Sequence, residues 1–542
     1  QRQCCKKRAD DYAYVALRIK LSRTDKKGLA MSGKLGSEPL GKFYTGKKPK
    51  KRREWRGFKD TWYDYVRWLG YWKTLITFII KPNNIKGFFR YRWMLNYLAL
   101  PDFMDRHTEG MRGLQLRMAH QALGLIVTDI CGMLGQIFRA DPAIGNDKEL
   151  NKKIVLFDEN MMSTLMGGFP NLVWLSVEVP AVYTSSMMSQ NGVSYYVDVT
   201  HEYGVPTDVC PMPAAELGVA LADDFPLIGC CAVQCNTTCD GSLMGNGIEA
   251  RSFKIPTFQL AVPIRHRQES VQEYAAEEVV NAIHFIEEQT GEKFNWDAFF
   301  KSMKRFNAET EEFLEWMEIS KTDYPQVMGV TLALYRYGVY QAAGGRNQAF
   351  LDMDKKLTRM AMEGYKKKEL AAREYRHRAM TWGVQAAYYT ALPIWLLNCW
   401  GIVTITDMLS MVSTEMVNTE DKHQAMLDLA YLYENMIMRN RSNGGYETGV
   451  EALWRYCEMF NIDIVIMYVH MGCKSMSGYH GLFEEEARKH GVHLIWVTHN
   501  LMCPEDGSRR DMRTEINRYM RTVFCEEPLD PTLEDFDDSQ NW

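Results

Sequence analysis

Apolar residues in this chain come in two rhythms. Short unbroken runs of strand length occur at Ile154 to Phe157, Leu172 to Val177 and Leu227 to Val233. They recur at Ala379 to Trp382, Gly401 to Ile405, Ile464 to Val469 and Leu494 to Val497. Longer stretches with helical spacing lie between them. Such alternation predicts strand–helix units and a parallel sheet. One helix is fully legible. Ser270 can cap it, Val271, Tyr274, Ala275, Val279, Ile283 and Ile286 share a face, and Thr290-Gly291 stops it. Asn295-Trp296-Asp297 can start the next, through Phe299, Phe300 and Met303.

This pattern divides the chain into four regions. Residues 1–115 are basic, aromatic and mostly helical, with a turn at Pro82 to Asn84. Residues 116–310 form a first α/β domain, 311–375 a charged helical connection, and 376–542 a second α/β domain. The predicted fold is α/β, with two parallel-sheet domains of Rossmann or flavodoxin type. A length of 542 residues, 46% hydrophobic and 24% charged, suits such a body and excludes wholesale disorder. The uninterrupted apolar stretches are shorter than the roughly 20 residues of a membrane span, so none is expected. No signal-like apolar core follows the first residues, which predicts a cytoplasmic chain.

Charge changes the picture at one end. The net charge of -4 hides 19 Lys and Arg against 6 Asp and Glu within residues 1–60. The densest run is Lys47 to Arg53, followed by Trp55, Trp62, Tyr63, Tyr65, Trp68, Tyr71 and Trp72. A basic arm can meet nucleic acid, an acidic membrane or a polyanionic cofactor. It can equally lie solvated on an acidic partner or on the acidic remainder of the chain. The rings could stack bases, or bury themselves against a neighbouring surface.

The 13 cysteines are the candidate chemistry. An odd count with irregular spacing is not a disulfide framework. The densest cluster is Cys230-Cys231-Ala232-Val233-Gln234-Cys235, followed by Asn236-Thr237-Thr238-Cys239-Asp240-Gly241. On a strand, alternation sends Cys231 and Cys235 to one face and Cys230 to the other, as small buried hydrophobes. Cys239 falls in the loop after the strand, where ligands of open α/β sheets bind. Cys210 precedes Pro211 and a helix-like run, and a helix N-terminus favours a thiolate. Cys473 follows the strand Ile464 to Val469 within His470-Met471-Gly472-Cys473-Lys474, where Gly472 permits close backbone approach. Three thiols at strand ends could share one iron–sulfur cluster, with one iron left open. Spacing alone favours ordinary buried thiols. No phosphate-binding loop, His-Glu-x-x-His or paired Cys-x-x-Cys is present.

Taken together, several segments resemble one family. They are Asp208-Val209-Cys210-Pro211, Cys239-Asp240-Gly241, Ile255-Pro256-Thr257-Phe258, Val262-Pro263, and the helix from Tyr274 into Glu287-Glu288-Gln289-Thr290-Gly291. Trp296-Asp297, then Ile462-Asp463 leading to His470-Met471-Gly472-Cys473-Lys474, complete the set. In order and separation they resemble the ATP-activated 2-hydroxyacyl-CoA dehydratases and the related benzoyl-CoA reductases. The resemblance covers about 200–310 and 376–530, and residues 1–115 have no counterpart in it.

It implies a [4Fe–4S] cluster between two α/β domains, held by Cys210, Cys239 and Cys473. It also implies a related second subunit, an ATP-hydrolysing activator that donates one electron, and an acyl-CoA thioester substrate. In the dehydratases the electron makes a ketyl radical of the thioester, the 2-hydroxy group leaves, and the electron is recovered. The expected activity is therefore that of an oxygen-sensitive lyase forming the enoyl-CoA from an (R)-2-hydroxyacyl-CoA. Aromatic ring reduction of the benzoyl-CoA type is the alternative, and a non-catalytic electron-relay or scaffold subunit is a third reading. His470, Lys474 and Ser242 are candidates for proton transfer or substrate contact, and nucleic acid is not an expected partner. The basic arm could grip the second subunit, the activator or the phosphates of coenzyme A.

Overall fold

In the computed structural model the chain divides into two units, Gln1–Lys48 and Pro49–Trp542. The residues described are 55–157, 163–188, 193–235, 240–261, 263, 269–338, 345–370, 373–411, 414–434 and 446–535, all in the second unit. Of the basic arm, residues 1–54 lie outside them.

The first sheet contains β1 (Ile154–Phe157), β2 (Val173–Leu175), β3 (Cys231–Cys235) and β4 (Thr257–Leu260). The second contains β5 (His377–Trp382), β6 (Ile402–Asp407), β7 (Ile464–His470) and β8 (His493–His499). Both are parallel, and their orders, β2-β1-β3-β4 and β6-β5-β7-β8, are the same pattern twice. The unbroken apolar runs follow from burial on both faces. In β1, Val155 and Phe157 enter one core while Ile154 and Leu156 enter another. In β7, Val465 and Met467 face one cluster, and Ile464, Ile466 and Tyr468 the opposite one. The α/β parallel-sheet expectation therefore holds.

Two strands depart from the sequence expectation. β4 is half-exposed and short, so it has no apolar run to signal it. β3 begins at Cys231 rather than Leu227, because Gly229 turns at φ +97° and Ile228 packs as loop. Cys230 therefore precedes the strand. It packs against the same cluster that holds Cys231 and Cys235, not on the opposite face. The legible helix runs Glu269–Thr290 and ends at Gly291, φ +74°. Asn295 caps the Trp296–Ser320 helix by accepting from Ala298 N at 3.0 Å.

The N-terminal part is helical, with helices at Phe58–Ile79, Pro82–Arg90, Leu100–His107 and Gly113–Ala140. Pro82 starts a helix where a turn was expected, its missing N–H costing nothing at the first position. Buried charge ties this part together. Asp64 meets Arg56 at 3.1 Å and His120 Nε2 at 2.9 Å, while Tyr71 Oη lies 2.9 Å from His120 Nδ1. On the other side of the first helix, Phe58, Trp62, Leu69, Ile76 and Ile80 are exposed at helical spacing. Trp62 thus stays in solvent while Tyr71 is buried.

The Gly113–Ala140 helix bears on the expectation of no membrane span without overturning it. It is the one described helix long and apolar enough to cross a bilayer by length and composition. Gln121, Thr128 and Gln136 interrupt its apolar residues, so no continuous run marks it. A core helix passes the same test, and this one packs against the Phe58–Ile79, Thr331–Gly338 and Gln348–Lys366 helices.

Candidate functional site

In a sheet of this order the crossover direction reverses between the first and third strands. Ligands gather in the crevice at the carboxyl ends there. β3 and β7 border that reversal in the two sheets. Cys239 follows β3 by four residues and immediately precedes the Asp240–Phe253 helix. Cys473 follows β7 by three and is the N-cap of the Lys474–Gly478 helix. The two cysteines thus hold equivalent places in the sequence, each between a third strand and the next helix. Cys239 itself lies outside the described residues.

Cys210 comes from a different element. It is the N-cap of the Pro211–Leu221 helix, and Pro211 at the first position supplies the fixed φ that starts the helix. The loops of Cys210 and Cys473 touch. A Cβ built on Gly472 would lie 3.0 Å from both Cys210 Cα and Val209 O. Glycine is needed there because the neighbours are backbone and cannot swing away. The close approach expected of Gly472 is therefore met.

His470 ends β7 nearly buried, with Nε2 3.3 Å from Cys210 Sγ. Its carbonyl accepts from Cys473 N at 2.9 Å, so one residue touches both cysteine segments. The ring stacks on His499, at 5.8 Å between centroids. His499 sits opposite it in the β7–β8 register. Burial pushes the His499 imidazole down to about 4, which keeps it uncharged at neutral pH. The Cys473 thiol has Ser475 Oγ at 3.3 Å.

Lys474 reaches across the same junction to Asp208 at 2.9 Å, with both side chains exposed. The ammonium holds the Asp208 carboxyl below the usual range. Ser242 lies in the first turn of the Asp240–Phe253 helix, half-buried. The remaining thiols of the first half pack. Cys230 Sγ donates to Ile154 O at 3.1 Å and lies 3.9 Å from Cys231 Sγ. That contact, then burial, raises the Cys231 thiol far above its ordinary range.

The donors suit a thiolate-bound cluster. Cys210 and Cys473 are only partly buried, each caps the start of a helix, and the loops that carry them meet at Gly472. Among the described residues, no group of three or more His, Cys, Asp or Glu is arranged to hold a metal ion. A third ligand would have to come from elsewhere, and Cys239 is the candidate in sequence. Sequence reasoning allowed Lys474 a carboxylate partner without naming Asp208, and overlooked His499 and Cys503, the latter buried in the cluster against which Cys210 packs. The histidine that closes both β7 and β8 was the available signal.

Two parallel sheets of one order, the second with Cys473 just past its third strand, define a paired α/β protein. The family profile described as 2-hydroxyglutaryl-CoA dehydratase, D-component, matches residues 165–519. The chain belongs to that family and is a subunit of the 2-hydroxyacyl-CoA dehydratase type. The family description names a component, which implies a partner component. Among curated proteins none matches the chain.

Proposed function

We propose that this chain is the cluster-bearing subunit of an enzyme that dehydrates an (R)-2-hydroxyacyl-CoA to the enoyl-CoA by one-electron chemistry. In this reading Cys210, Cys239 and Cys473 hold a [4Fe–4S] cluster between α/β halves at 116–310 and 376–542, with 311–375 joining them and 1–115 as an addition. The observation that carries it is the junction at Gly472. It brings the Cys210 loop of the first half against the Cys473 loop of the second, with His470 between them. Such a cluster would supply one-electron transfer and, with three thiolates for four irons, one iron left open to a substrate oxygen.

The chain's own residues do the rest. Gly472 lets the loops close. His470 is a positioning residue, directing Nε2 at Cys210 Sγ and setting the hydrogen bonding around that sulfur. The Asp208–Lys474 pair ties the two loops at the solvent side. Ser242 is the candidate for substrate contact. A related second subunit and an ATP-hydrolysing activator complete the assembly. The exposed apolar stripe from Phe58 to Ile80 supports a partner, since faces of this kind mark contact sites.

The test is turnover. Anaerobically purified chain, with its partner and an activator, is given a 2-hydroxyacyl-CoA, ATP and a trace of reductant. Many turnovers per electron supplied are expected. Reductant consumed in step with product assigns aromatic ring reduction instead, and no turnover with either substrate class leaves a relay subunit.

A further inference from the structure

A second feature is an apolar cleft, none of whose lining residues belongs to the Cys210 or Cys473 loop. Its empty space, mouth included, is about 1000 Å3. One wall comes from the Leu100–His107 and Gly113–Ala140 helices, with Phe103, Met104, Ile126 and Ile130. These residues precede the family match, which begins at 165. The other wall comes from strand ends, with Phe157 closing β1, Ser176 just after β2 and Leu409 just after β6. The cleft is therefore at the carboxyl edge of both sheets, where such folds bind ligands, but it is built jointly with the added helices.

Its polar content is small and already engaged. Ser176 Oγ donates to Glu178 Oε2 at 2.9 Å, and Thr184 Oγ1 to Val179 O at 3.0 Å. Tyr183 and Tyr337 stack at 6.3 Å. No Lys, Arg or His lines the cleft among the described residues. Among the described residues the single charged lining group is an acid, Asp129. Burial raises its carboxyl and Arg346 opposes that rise. Four methionines, Met104, Met133, Met187 and Met188, give the walls adaptable apolar surface.

We infer that this cleft binds the acyl portion of an uncharged, apolar acyl thioester and turns away acyl groups that end in a carboxylate. The inference rests on the acyl-CoA reading above and sharpens it, because the family description names a substrate with just such a second carboxylate. A carboxylate entering here would lose its water and find no cation among the described lining residues, since the nearby Arg346 is already engaged by Asp129. An alkyl or aryl group would gain apolar burial at about 25 cal/mol per Å2.

The test compares two thioesters of one chain length, octanoyl-CoA and suberyl-CoA, by calorimetric binding to the full chain. Octanoyl-CoA is expected to bind at least ~10-fold more tightly, the scale of discrimination a buried unpaired polar group gives. Ile130→Trp fills the cleft and is expected to weaken octanoyl-CoA by a similar factor while leaving free coenzyme A unchanged. Asp129→Asn is expected to narrow the gap between the two thioesters. Equal binding of both by the unaltered chain overturns the inference, and so does a folded Ile130→Trp that binds octanoyl-CoA as before. Iron content of the same sample reports separately. Iron absent with discrimination intact removes the dehydratase reading and keeps the cleft, and iron present without discrimination does the reverse.

Discussion

The two sheets repeat one strand order, yet the halves around them are furnished differently. After its third strand each half places a cysteine next to a helix start, Cys239 before Asp240 and Cys473 before Lys474. Only the first half adds a second, Cys210, on the helix that precedes its third strand. In the second half the corresponding helix is Tyr446–Phe460, and residues 435–446 leading into it contain no cysteine. The third strands differ as well. β3 carries Cys231 and Cys235 into an apolar cluster, while β7 carries none and ends in His470. The lesson is that a shared frame fixes where ligands can sit. In the proposed reading the side chains at those places divide the labour, two thiols from one half and one thiol with a histidine from the other.

Breaking that division should have the largest effect. Cys473→Ser should abolish turnover, and Cys210→Ser should match it although it lies on the opposite half. Cys230→Ser should leave turnover unchanged, because its thiol packs beside Ile154. Anaerobic rate measurement on the three variants checks all of this.

Next comes the junction. Gly472→Val should cost about 1–3 kcal/mol of stability, since the new side chain meets the Val209–Cys210 backbone. Urea unfolding measures it. Gly478→Ala, where added volume meets nothing, is the control.

A third prediction concerns the helices between the halves. Burial raises the Glu309 carboxyl to about 8 and that of Asp354 to about 7, with Arg336 opposing both. An acid raised on folding holds its proton in the folded state after the unfolded chain has lost it. Stability from such groups is lost as pH climbs from the ordinary carboxylate range through about 8. Glu309→Gln should therefore leave the melting temperature nearly unchanged at pH 5 and raise it at pH 8. The smallest effect belongs to Lys474→Ala. Its pair with Asp208 is exposed on both sides, so iron content and melting should barely move.

Much of this frame was legible because buried parallel strands cannot avoid being apolar. Ile154-Val155-Leu156-Phe157 and Ile464 to Val469 announce themselves for that reason. Thr257 to Leu260 did not, because an edge strand with solvent on it needs no such run. The Gly113–Ala140 helix escaped because it touches partners on several sides and mixes polar residues among its apolar ones. In the candidate site, the close approach at Gly472 was readable from its strand end, and the resemblance nominated the three cysteines. The contact of His470 with Cys210 was not, since it joins residues 260 apart in the chain. The apolar cleft was equally hidden, as its walls come from segments as distant as Leu100 and Leu409.

The central claim is that both halves hold one cluster. Its most direct measurement is iron and acid-labile sulfide per chain after anaerobic purification, for the unaltered protein and for Cys210→Ser and Cys473→Ser. The account predicts about four irons in the unaltered chain and near-complete loss in either variant alone. Iron that persists in both variants, or a chain that never carries any, would contradict it.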